Sequence, residues 1–419
     1  MKKSLKKHLI MGIATTTILG AAVANANSLN SFVTGTVGSS ESPGSSASQA
    51  PGTSEAPGAS TSQAPGPGQS EAPGTSKPSD GIGGYFPPVV STTSPAKISS
   101  DGATVTGTFG AAGAEITLAG GKISIKIPAG AVASDRTITV TSVKAEDLKT
   151  KLPNSFVFGG LAISVELSGE DLLLQPATVT LNDAEAIKKL DPKRLSYFKE
   201  ENGSWLFRGV IVDAEKGTAS FNTNSFSTYA LLSNGKVFSD EQSAKWAADY
   251  ISVALGGNFI NGYVDGTFKP NNTITRSEFV QVIVGALGLS EKASTATFAD
   301  VPATAWYNKA LGTAIENKLV QGVAANKFAP EAKISREEVA TILGRAFELK
   351  ATQTTTGSEF KDFAKTHEWA VKGVNAALQA GVISGYQDKT LKPQNSISRA
   401  EAVTMIVRAL DNIGKVSVK

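Results

Sequence analysis

Hydrophobic and polar residues alternate along the chain from about Pro95 to Ser233. Five runs show the two-residue period of strands with one buried face: 103–109, 122–127, 136–141, 161–167 and 177–181. Glycine, proline, asparagine and aspartate separate these runs, and four more extend the pattern: 194–200, 204–212, 218–222 and 227–232. About 140 residues can bury a sizeable core, so the pattern predicts an antiparallel β-sandwich over 95–235.

From Phe238 onward the apolar period becomes helical, and the pattern repeats about every 60 residues. Each copy opens with Phe-x-Asp, has a tryptophan on a first helix, and passes through a glycine-containing loop to a second helix. A repeat that cannot bury its apolar face alone must stack on its neighbours. The sequence therefore predicts three copies that share one core, over 236–290, 291–350 and 351–415.

A short phrase recurs where each second helix begins: Thr275-Arg276-Ser277-Glu278, Ser335-Arg336-Glu337-Glu338 and Ser398-Arg399-Ala400-Glu401. The hydroxyl residue and the glutamate three positions later form a capping box. Helix formation does not explain the arginine, because a cation in the first turn faces the positive end of the helix dipole. Three such arginines predict groups that meet an anion beside helix N-termini, and a surface salt bridge is the alternative.

The repeats resemble the S-layer homology (SLH) domain family over essentially all of 238–410. The resemblance rests on the Phe-x-Asp opening, the tryptophan, the loop Gly-Tyr-Val-Asp-Gly-Thr-Phe at 262–268 and the Ile-Thr-Arg-x-Glu phrase. It implies an all-α, pseudo-threefold assembly that binds secondary cell-wall polysaccharide non-covalently, often through the ketal carboxylate of a pyruvylated sugar. In that family the carboxylate pairs with the arginine of the phrase, so the resemblance implies this role for Arg276, Arg336 and Arg399. It leaves open whether the protein also self-associates in a surface layer.

Aromatic residues of the repeats complete the predicted carbohydrate site. Trp246, Trp306 and Trp369 could form the floors of sugar-binding grooves or fill the shared core, and both interpretations stay open. Tyr263 and Tyr386 lie in loops with a polar tip available, so we expect them to line grooves.

The three copies differ in ways that predict grooves of unequal affinity. Asp249 follows the first tryptophan by three residues, where the other copies have Lys309 and Lys372, and we include Asp249 in the site. The second copy has Val323 in place of the loop tyrosine. Its own arginine, Arg336, is therefore expected to lie in the least complete groove.

Two phrases of the β domain, Ile-Pro-Ala-Gly-Ala at 127–131 and Phe-Ser-Thr-Tyr-Ala at 226–230, resemble ZU5-like domains. Some proteins with such domains cleave themselves at a His-Phe-Ser step, but here the triplet is Ser-Phe-Ser at 225–227, so no self-cleavage is expected. Two roles for the domain stay open: display on an anchored surface protein, or adhesin or scaffold binding of a protein or glycan.

The N-terminal region predicts export. Four lysines precede the apolar run 9–22, and Ala24-Asn25-Ala26 supplies a cleavage site, so 1–26 is predicted to be a signal peptide. Residues 27–94 are rich in Ser, Pro and Gly and are predicted to be disordered. Without those four lysines, 36 basic residues (40 less 4) oppose 37 acidic ones. This balance argues against nucleic-acid binding, and no membrane insertion is expected after cleavage.

The composition also limits the chemistry. The chain has no cysteine, which excludes disulfides, zinc–thiolate sites and a lipidated cysteine. His367 is the only histidine after the signal peptide, so multi-histidine metal sites are excluded, and we expect it on a solvated helix face. No carboxylate pair has a diagnostic setting for glycoside hydrolysis. The sequence thus predicts a non-catalytic bacterial cell-wall protein without cofactor or metal, and an enzyme that processes wall glycan is the less favoured alternative.

Overall fold

The computed structural model describes residues 94–148, 150–153, 155–169, 172–293, 298–352 and 356–418. The predicted signal peptide and the predicted disordered segment, apart from residue 94, lie outside the described residues.

Residues 96–234 form two six-stranded sheets, as expected for a β-sandwich. Twelve strands build these sheets in the described part of the domain: β1 (Ala96–Ser99), β2 (Thr104–Phe109), β3 (Ala114–Leu118), β4 (Ile123–Ile127), β5 (Arg136–Ser142), β6 (Phe156–Leu167), β7 (Leu172–Asn182), β8 (Leu195–Glu201), β9 (Ser204–Gly209), β10 (Ile211–Asp213), β11 (Thr218–Ser225) and β12 (Thr228–Asn234). One sheet has the order β1-β3-β4-β7-β11-β10, and the other has β2-β5-β6-β12-β8-β9.

The strand pairs are antiparallel except at one edge, where β1 runs parallel to β3. The intervening strand β2 lies in the other sheet, so no hairpin joins β1 to β3 and forces them into opposite directions. Neither β1 nor β3 was predicted from the alternating pattern. The predicted strand 204–212 was wrong as a single element: it divides after Gly209, whose φ of 86° turns the chain from one sheet to the other.

One face of the second sheet lines the sandwich core, and part of its other face packs on the helical repeats. Phe198, Trp205, Phe207 and Leu232 belong to the same apolar cluster as the helix core. In β12 every residue from Tyr229 to the end of the strand is buried. Strands that are buried on both faces carry continuous apolar runs, which explains why apolar and polar residues do not alternate regularly in β12.

Among the described residues, the α-helices comprise one short element in the β domain and six in the repeats: α1 (Ala184–Lys188), α2 (Ala248–Gly256), α3 (Arg276–Leu287), α4 (Asn308–Glu316), α5 (Arg336–Ala346), α6 (Glu368–Gln379) and α7 (Arg399–Asn412). Each repeat supplies two of the six. The first helix of a repeat packs on the second helix of another: α4 on α3, α6 on α5, and α2 on α7. The contacts of the three repeats therefore form a closed cycle.

The isoleucine before each arginine phrase closes the same cycle through the backbone. The Ile274 N–H donates to the Ile397 carbonyl, the Ile334 N–H to the Ile274 carbonyl, and the Ile397 N–H to the Ile334 carbonyl. Each N···O distance is 3.2 Å. All three side chains are buried. No repeat can complete these hydrogen bonds alone, so the predicted shared core is confirmed by the contacts.

The aspartate of Phe-x-Asp fixes the loop that carries the glycine motif. Asp240 accepts the backbone N–H groups of Phe268 and Lys269, both at 2.8 Å, and Asp300 and Asp362 do the same in their repeats. The phenylalanine of the motif packs on the loop, because the rings of Phe238 and Phe268 lie 5.4 Å apart. The opening motif of each repeat is thus a structural clamp.

Two cations join the β domain and the C-terminal segment to the end of α3. Arg208 Nη1 donates to the Gly288 carbonyl at 2.9 Å, and Lys415 Nζ donates to the Leu287 carbonyl at 3.1 Å. The last carbonyls of a helix lack helical partners and attract positive charge. Beside them, Val416 pairs with Val210 in a parallel bridge, so the C-terminal segment runs along the β domain.

The position of Lys415 predicts a pH dependence of stability. Burial, and next the charge of Arg208, lowers the pKa of Lys415 to about 7. In the unfolded chain the pKa of a lysine is about 10.4. Between these values the unfolded chain binds a proton that the folded protein has lost, so the free energy of unfolding rises with pH. Lys415→Met should remove this rise, which amounts to at most about 1.4 kcal/mol per pH unit.

Urea unfolding at about pH 7.5 and about pH 9.5 measures this difference. Lys372→Met, at an exposed position on α6, is the control and should keep the wild-type pH dependence. An unchanged pH dependence in Lys415→Met would contradict the prediction.

Candidate functional site

The predicted capping boxes are present at all three arginine phrases. At α3 the Thr275 hydroxyl accepts the Glu278 N–H at 3.2 Å, and the Glu278 carboxylate accepts the Thr275 N–H at 2.8 Å. The same reciprocal pair forms between Ser335 and Glu338 and between Ser398 and Glu401. Each second helix therefore begins as the sequence predicts.

The N–H groups of these helix starts are bound by loop carbonyls of another repeat. The N–H groups of Arg276 and Ser277 donate to the carbonyls of Ala332 and Pro330, at 2.9 and 3.0 Å. At the start of α5, the carbonyls of Asn395 and Pro393 accept the first two helical N–H groups in the same way. At the start of α7, the carbonyls of Asn272 and Pro270 do so. The adjoining repeat already satisfies these N–H groups, so an anion beside these helix starts would have to be bound by the arginine side chains.

The arginines are buried and reach into the adjoining repeat, with 7, 6 and 8% of Arg276, Arg336 and Arg399 exposed. Each faces the capping glutamate of that repeat. The distance from the arginine Nη1 to the glutamate Oε1 is 2.6 Å for Arg276 and Glu338, 3.6 Å for Arg336 and Glu401, and 3.2 Å for Arg399 and Glu278. The ion pair that the sequence left as an alternative is thus present, but it is internal and joins two repeats.

Arg276 and Arg336 differ in how fully these partners satisfy them. In Arg276 the Nε, Nη1 and Nη2 atoms donate to Phe328 O, Glu338 Oε1 and Gln321 O, at 3.0, 2.6 and 3.2 Å. In the guanidinium of Arg336, Nη2 donates to the Ser384 carbonyl at 2.6 Å, and this is its one side-chain hydrogen bond to the described residues. The buried Nε of Arg336 has no partner among the described residues.

Tyr386 shares the glutamate that Arg336 faces. Its hydroxyl donates to Oε1 of Glu401 at 2.6 Å, the oxygen that lies 3.6 Å from Arg336. Burial, and next this hydrogen bond, raises the pKa of Tyr386 to about 12, so the hydroxyl stays protonated. Burial also acts to raise the pKa of Glu401, but hydrogen bonds from Ser398 and Tyr386 and the charge of Arg336 outweigh it and leave this pKa lowered. The carboxylate is therefore ionised and shared.

Each arginine lies over an aromatic ring of the adjoining repeat, so every groove is built from more than one repeat. The guanidinium of Arg336 is 5.1 Å from the Tyr386 ring centre, and that of Arg399 is 4.9 Å from the Tyr263 ring centre. Arg276 faces the loop that contains Val323 instead of a tyrosine, and it lies over Phe328. The Val323 loop, which made the groove of Arg336 the least complete in the sequence, therefore lies against Arg276 instead.

Residues of all three repeats meet in a cavity of about 280 Å³. Trp246 of the first repeat, Arg336 of the second and Tyr386 of the third line it, together with Thr404 and Arg408 of α7. The Trp246 side chain is prominent, with 57% of the residue exposed. The buried Thr404 hydroxyl, like the Arg336 Nε, lacks a hydrogen-bond partner in the described part of the chain. The cavity thus combines an exposed aromatic surface with two polar residues that each have a buried, unpaired atom among the described residues.

Arg408 was not predicted from the sequence. It lies outside the repeated phrase, and its Nε is 3.4 Å from the Tyr250 hydroxyl of α2. The available signal was a single cation within the apolar run Met-Ile-Val-Arg-Ala-Leu at 405–410. A cation there is unusual unless it has a partner or a ligand.

The other predicted site residues lie elsewhere. Trp306 is half-buried and packs edge-on against Tyr307 at 5.2 Å. Trp369 is 55% exposed, and its ring stacks on that of His367 with the ring centres 5.9 Å apart. Asp249 does not line the cavity, and its carboxylate lies 2.6 Å from Nζ of Lys193 in the β domain.

His367 precedes α6 as its N-cap residue, so the predicted helix-face position is wrong, although its side chain is half exposed. Its Nδ1 lies 2.5 Å from Oε1 of the buried Glu337, which also accepts the His367 backbone N–H. Within the described ranges, no group of three or more His, Cys, Asp or Glu residues could hold a metal ion. No helix among these residues is long and apolar enough to cross a membrane.

A family model, the S-layer homology domain, matches residues 237–280, 297–340 and 359–403. These matches cover the three arginine phrases and lie outside the sandwich, so the ZU5-like resemblance stays a prediction.

Curated relatives share part of their length with this chain. An amylopullulanase of Thermoanaerobacterium thermosulfurigenes is 31% identical over 60% of this chain and 13% of its own. A surface-layer 125 kDa protein of Lysinibacillus sphaericus is 34% identical over 40% of this chain and 14% of its own. A cellulosome-anchoring protein of Acetivibrio thermocellus is 36% identical over 36% of this chain and 35% of its own. The chain thus spans about a third or less of these relatives.

The three matched segments coincide with the three repeats that close into one core. The chain therefore contains three copies of the S-layer homology domain in its C-terminal part, a domain organisation that indicates a secreted, cell-wall-associated surface protein.

Proposed function

We propose that this protein is a non-catalytic surface protein that anchors itself non-covalently to secondary cell-wall polysaccharide. The observation that carries the proposal is the cavity in which Trp246, Arg336 and Tyr386 meet, because each comes from a different repeat. A site assembled in this way exists only when the three repeats are folded together. Such a site suits a protein that must stay attached as long as it is folded.

The chemistry of the cavity favours an anionic sugar. The exposed Trp246 ring offers a flat apolar surface on which the C–H face of a sugar ring can pack. Arg336 and Arg408 together carry two positive charges, against the single negative charge of Glu401. A carboxylate such as the ketal group of a pyruvylated sugar would balance the excess and pair with the guanidinium fork.

The closed cycle of contacts supports a pseudo-threefold arrangement of three grooves. Arg399 with Tyr263, and Arg276 with the loop of Val323, would form the other two grooves, with Trp306 and Trp369 as candidate sugar platforms. The more complete internal bonding of Arg276 makes its groove the weakest candidate. Asp249 is better explained by its contact with the β domain than by sugar binding.

A second candidate function is processing of wall glycan, since one relative is an amylopullulanase. The match covers only 13% of that protein, which favours a shared attachment module over a shared catalytic domain. Names of other relatives, a surface-layer protein and a cellulosome-anchoring protein, also fit attachment. We propose the same for this chain, with self-association in a surface layer and partner binding by the β domain as additional roles.

Trp246→Ala should weaken binding to purified cell-wall sacculi at least about tenfold, which corresponds to roughly 1.4 kcal/mol. The physical reason is the loss of the exposed ring from the cavity. Co-sedimentation at varied sacculus concentration measures the change, and removal of the wall polymer should abolish binding by the wild-type protein.

Trp369→Ala is the comparison variant, because Trp369 is similarly exposed and occupies the same place in its repeat but does not line this cavity. As a candidate platform of a weaker groove, it should cost clearly less binding than Trp246→Ala does. Equal losses in both variants would contradict the assignment to this cavity.

Replacement of arginine by lysine should separate a ligand role from a structural one. Arg336→Lys keeps the charge but loses the planar fork, so sacculus binding should fall while the free energy of unfolding changes little. Arg276→Lys removes hydrogen bonds that are already made within the protein and should lower the free energy of unfolding by about 1.5–3 kcal/mol.

Urea unfolding and co-sedimentation of both variants test this contrast. If Arg336→Lys binds sacculi as well as the wild type does, Arg336 is not the ligand-binding cation.

A further inference from the structure

We propose that the β domain positions Trp246 and thereby sets the affinity of the cavity, with Arg194 as the positioning residue. This inference rests on the proposed anchoring function for its binding measurement. Arg194 lies in the β domain, in the turn that precedes β8, and it does not line the cavity. Its effect on a ligand would pass through the chain segment that carries Trp246.

Trp246 lacks the neighbours that fix the equivalent tryptophans. Trp306 packs on the helix core and against Tyr307, and Trp369 stacks on His367. Trp246 has no hydrogen bond or ring contact with the described residues, and it is absent from the side chains that pack on the core. Its position therefore depends on the backbone of the segment Glu241–Ala247, an irregular 3₁₀ turn that is interrupted at Ala244 (φ −142°, ψ 60°).

The β domain contacts this segment on both sides of Trp246. On the N-terminal side, Arg194 Nη2 lies 3.1 Å from Glu241 Oε1, and the Arg194 side chain is 13% exposed. Arg194 Nη1 also donates to the Lys236 carbonyl. On the C-terminal side, Lys193 Nζ lies 2.6 Å from Asp249 Oδ1. Two adjacent cations of one turn thus hold the acidic residues that flank the tryptophan.

The sequence of the repeats shows that these contacts belong to the first repeat alone. Asp249 is replaced by Lys309 and Lys372 in the other copies, and a lysine opposite Lys193 would repel it. Close packing supports the same attachment: a Cβ on Gly256, at the end of α2, would lie 2.7 Å from the Arg194 Cα. The Asn234 side-chain amide donates to the Leu255 carbonyl at 2.9 Å in a buried contact.

These contacts connect the sandwich to the cavity by a short physical path. Arg194 fixes Glu241, the turn carries Trp246, and Trp246 lines the cavity opposite Arg336 and Tyr386. An aromatic side chain that is held in place before binding loses less conformational entropy when the sugar arrives. The β domain would therefore pre-organise the groove, in addition to any partner it binds.

The test compares sacculus binding by the full chain without its signal peptide in five forms: wild type, Arg194→Ala, Arg194→Lys, Trp246→Ala and the double variant Arg194→Ala/Trp246→Ala. Arg194→Ala should weaken binding about 3- to 30-fold, the range expected for residues that act through others. In protein that already carries Trp246→Ala, Arg194→Ala should weaken binding no further, because Arg194 affects the ligand only through Trp246. Arg194→Lys should restore part of the affinity.

Three additional variants test which contact of the β domain matters. Arg208→Ala loosens the contact between the β domain and the end of α3, away from the turn of Trp246, and should bind like the wild type. Asp249→Lys should weaken binding, because it places a lysine opposite Lys193. The double variant Asp249→Lys/Lys193→Asp should restore binding, because it restores an ion pair with the charges exchanged. Thermal unfolding confirms that each variant is folded.

A ligand-free measurement separates this inference from the proposed function. In protein labelled with 5-fluorotryptophan, Arg194→Ala should shift or broaden the ¹⁹F resonance of Trp246 and leave those of Trp306 and Trp369 unchanged. An unchanged Trp246 resonance would overturn the inference, as would a binding loss that persists undiminished in the Trp246→Ala background. Failure of the wild type to bind sacculi, with the ¹⁹F result as expected, would count against the anchoring function alone.

Discussion

The helical part of this protein depends on a buried arginine that leaves its own repeat and meets the capping glutamate of the adjoining one. The glutamate closes the N-terminus of its own helix and also faces this arginine. A buried guanidinium without such partners would be strongly destabilising. One repeat cannot meet this requirement, and two would leave an arginine and a glutamate unpaired. Three repeats in a cycle satisfy all of them.

The same constraint makes the three arginines unequal. The first is satisfied at all three nitrogen positions by its neighbours, whereas the second shares its glutamate with Tyr386 and keeps an unpaired Nε. A loop tyrosine therefore does more than line a groove, because the hydroxyls of Tyr386 and Tyr263 each donate to the glutamate oxygen that the arginine also faces. Near-identical phrases thus differ in how fully their arginine is satisfied within the protein, and only the less satisfied Arg336 lines the proposed ligand cavity.

The β domain is an integral part of the described structure. Its second sheet contributes Phe198, Phe207 and Leu232 to the core of the repeats, and Arg208 and Lys415 bind the end of α3. Removal of the domain would expose an apolar face and leave helix carbonyls without partners. The surface available for a partner of the β domain is correspondingly restricted to the faces that the repeats do not cover.

The sequence by itself determined the two-sheet domain, the three repeats and the capping boxes, because these follow from local periodicity and from hydrogen bonds between residues three apart. It also identified Trp246, Arg336 and Tyr386, which the structure brings together. Only the tertiary structure decided that each arginine meets the loop of another repeat, that Asp249 faces Lys193, and that Arg408 lines the cavity. Those pairings join residues far apart in the chain, and no periodicity records which repeat lies beside which.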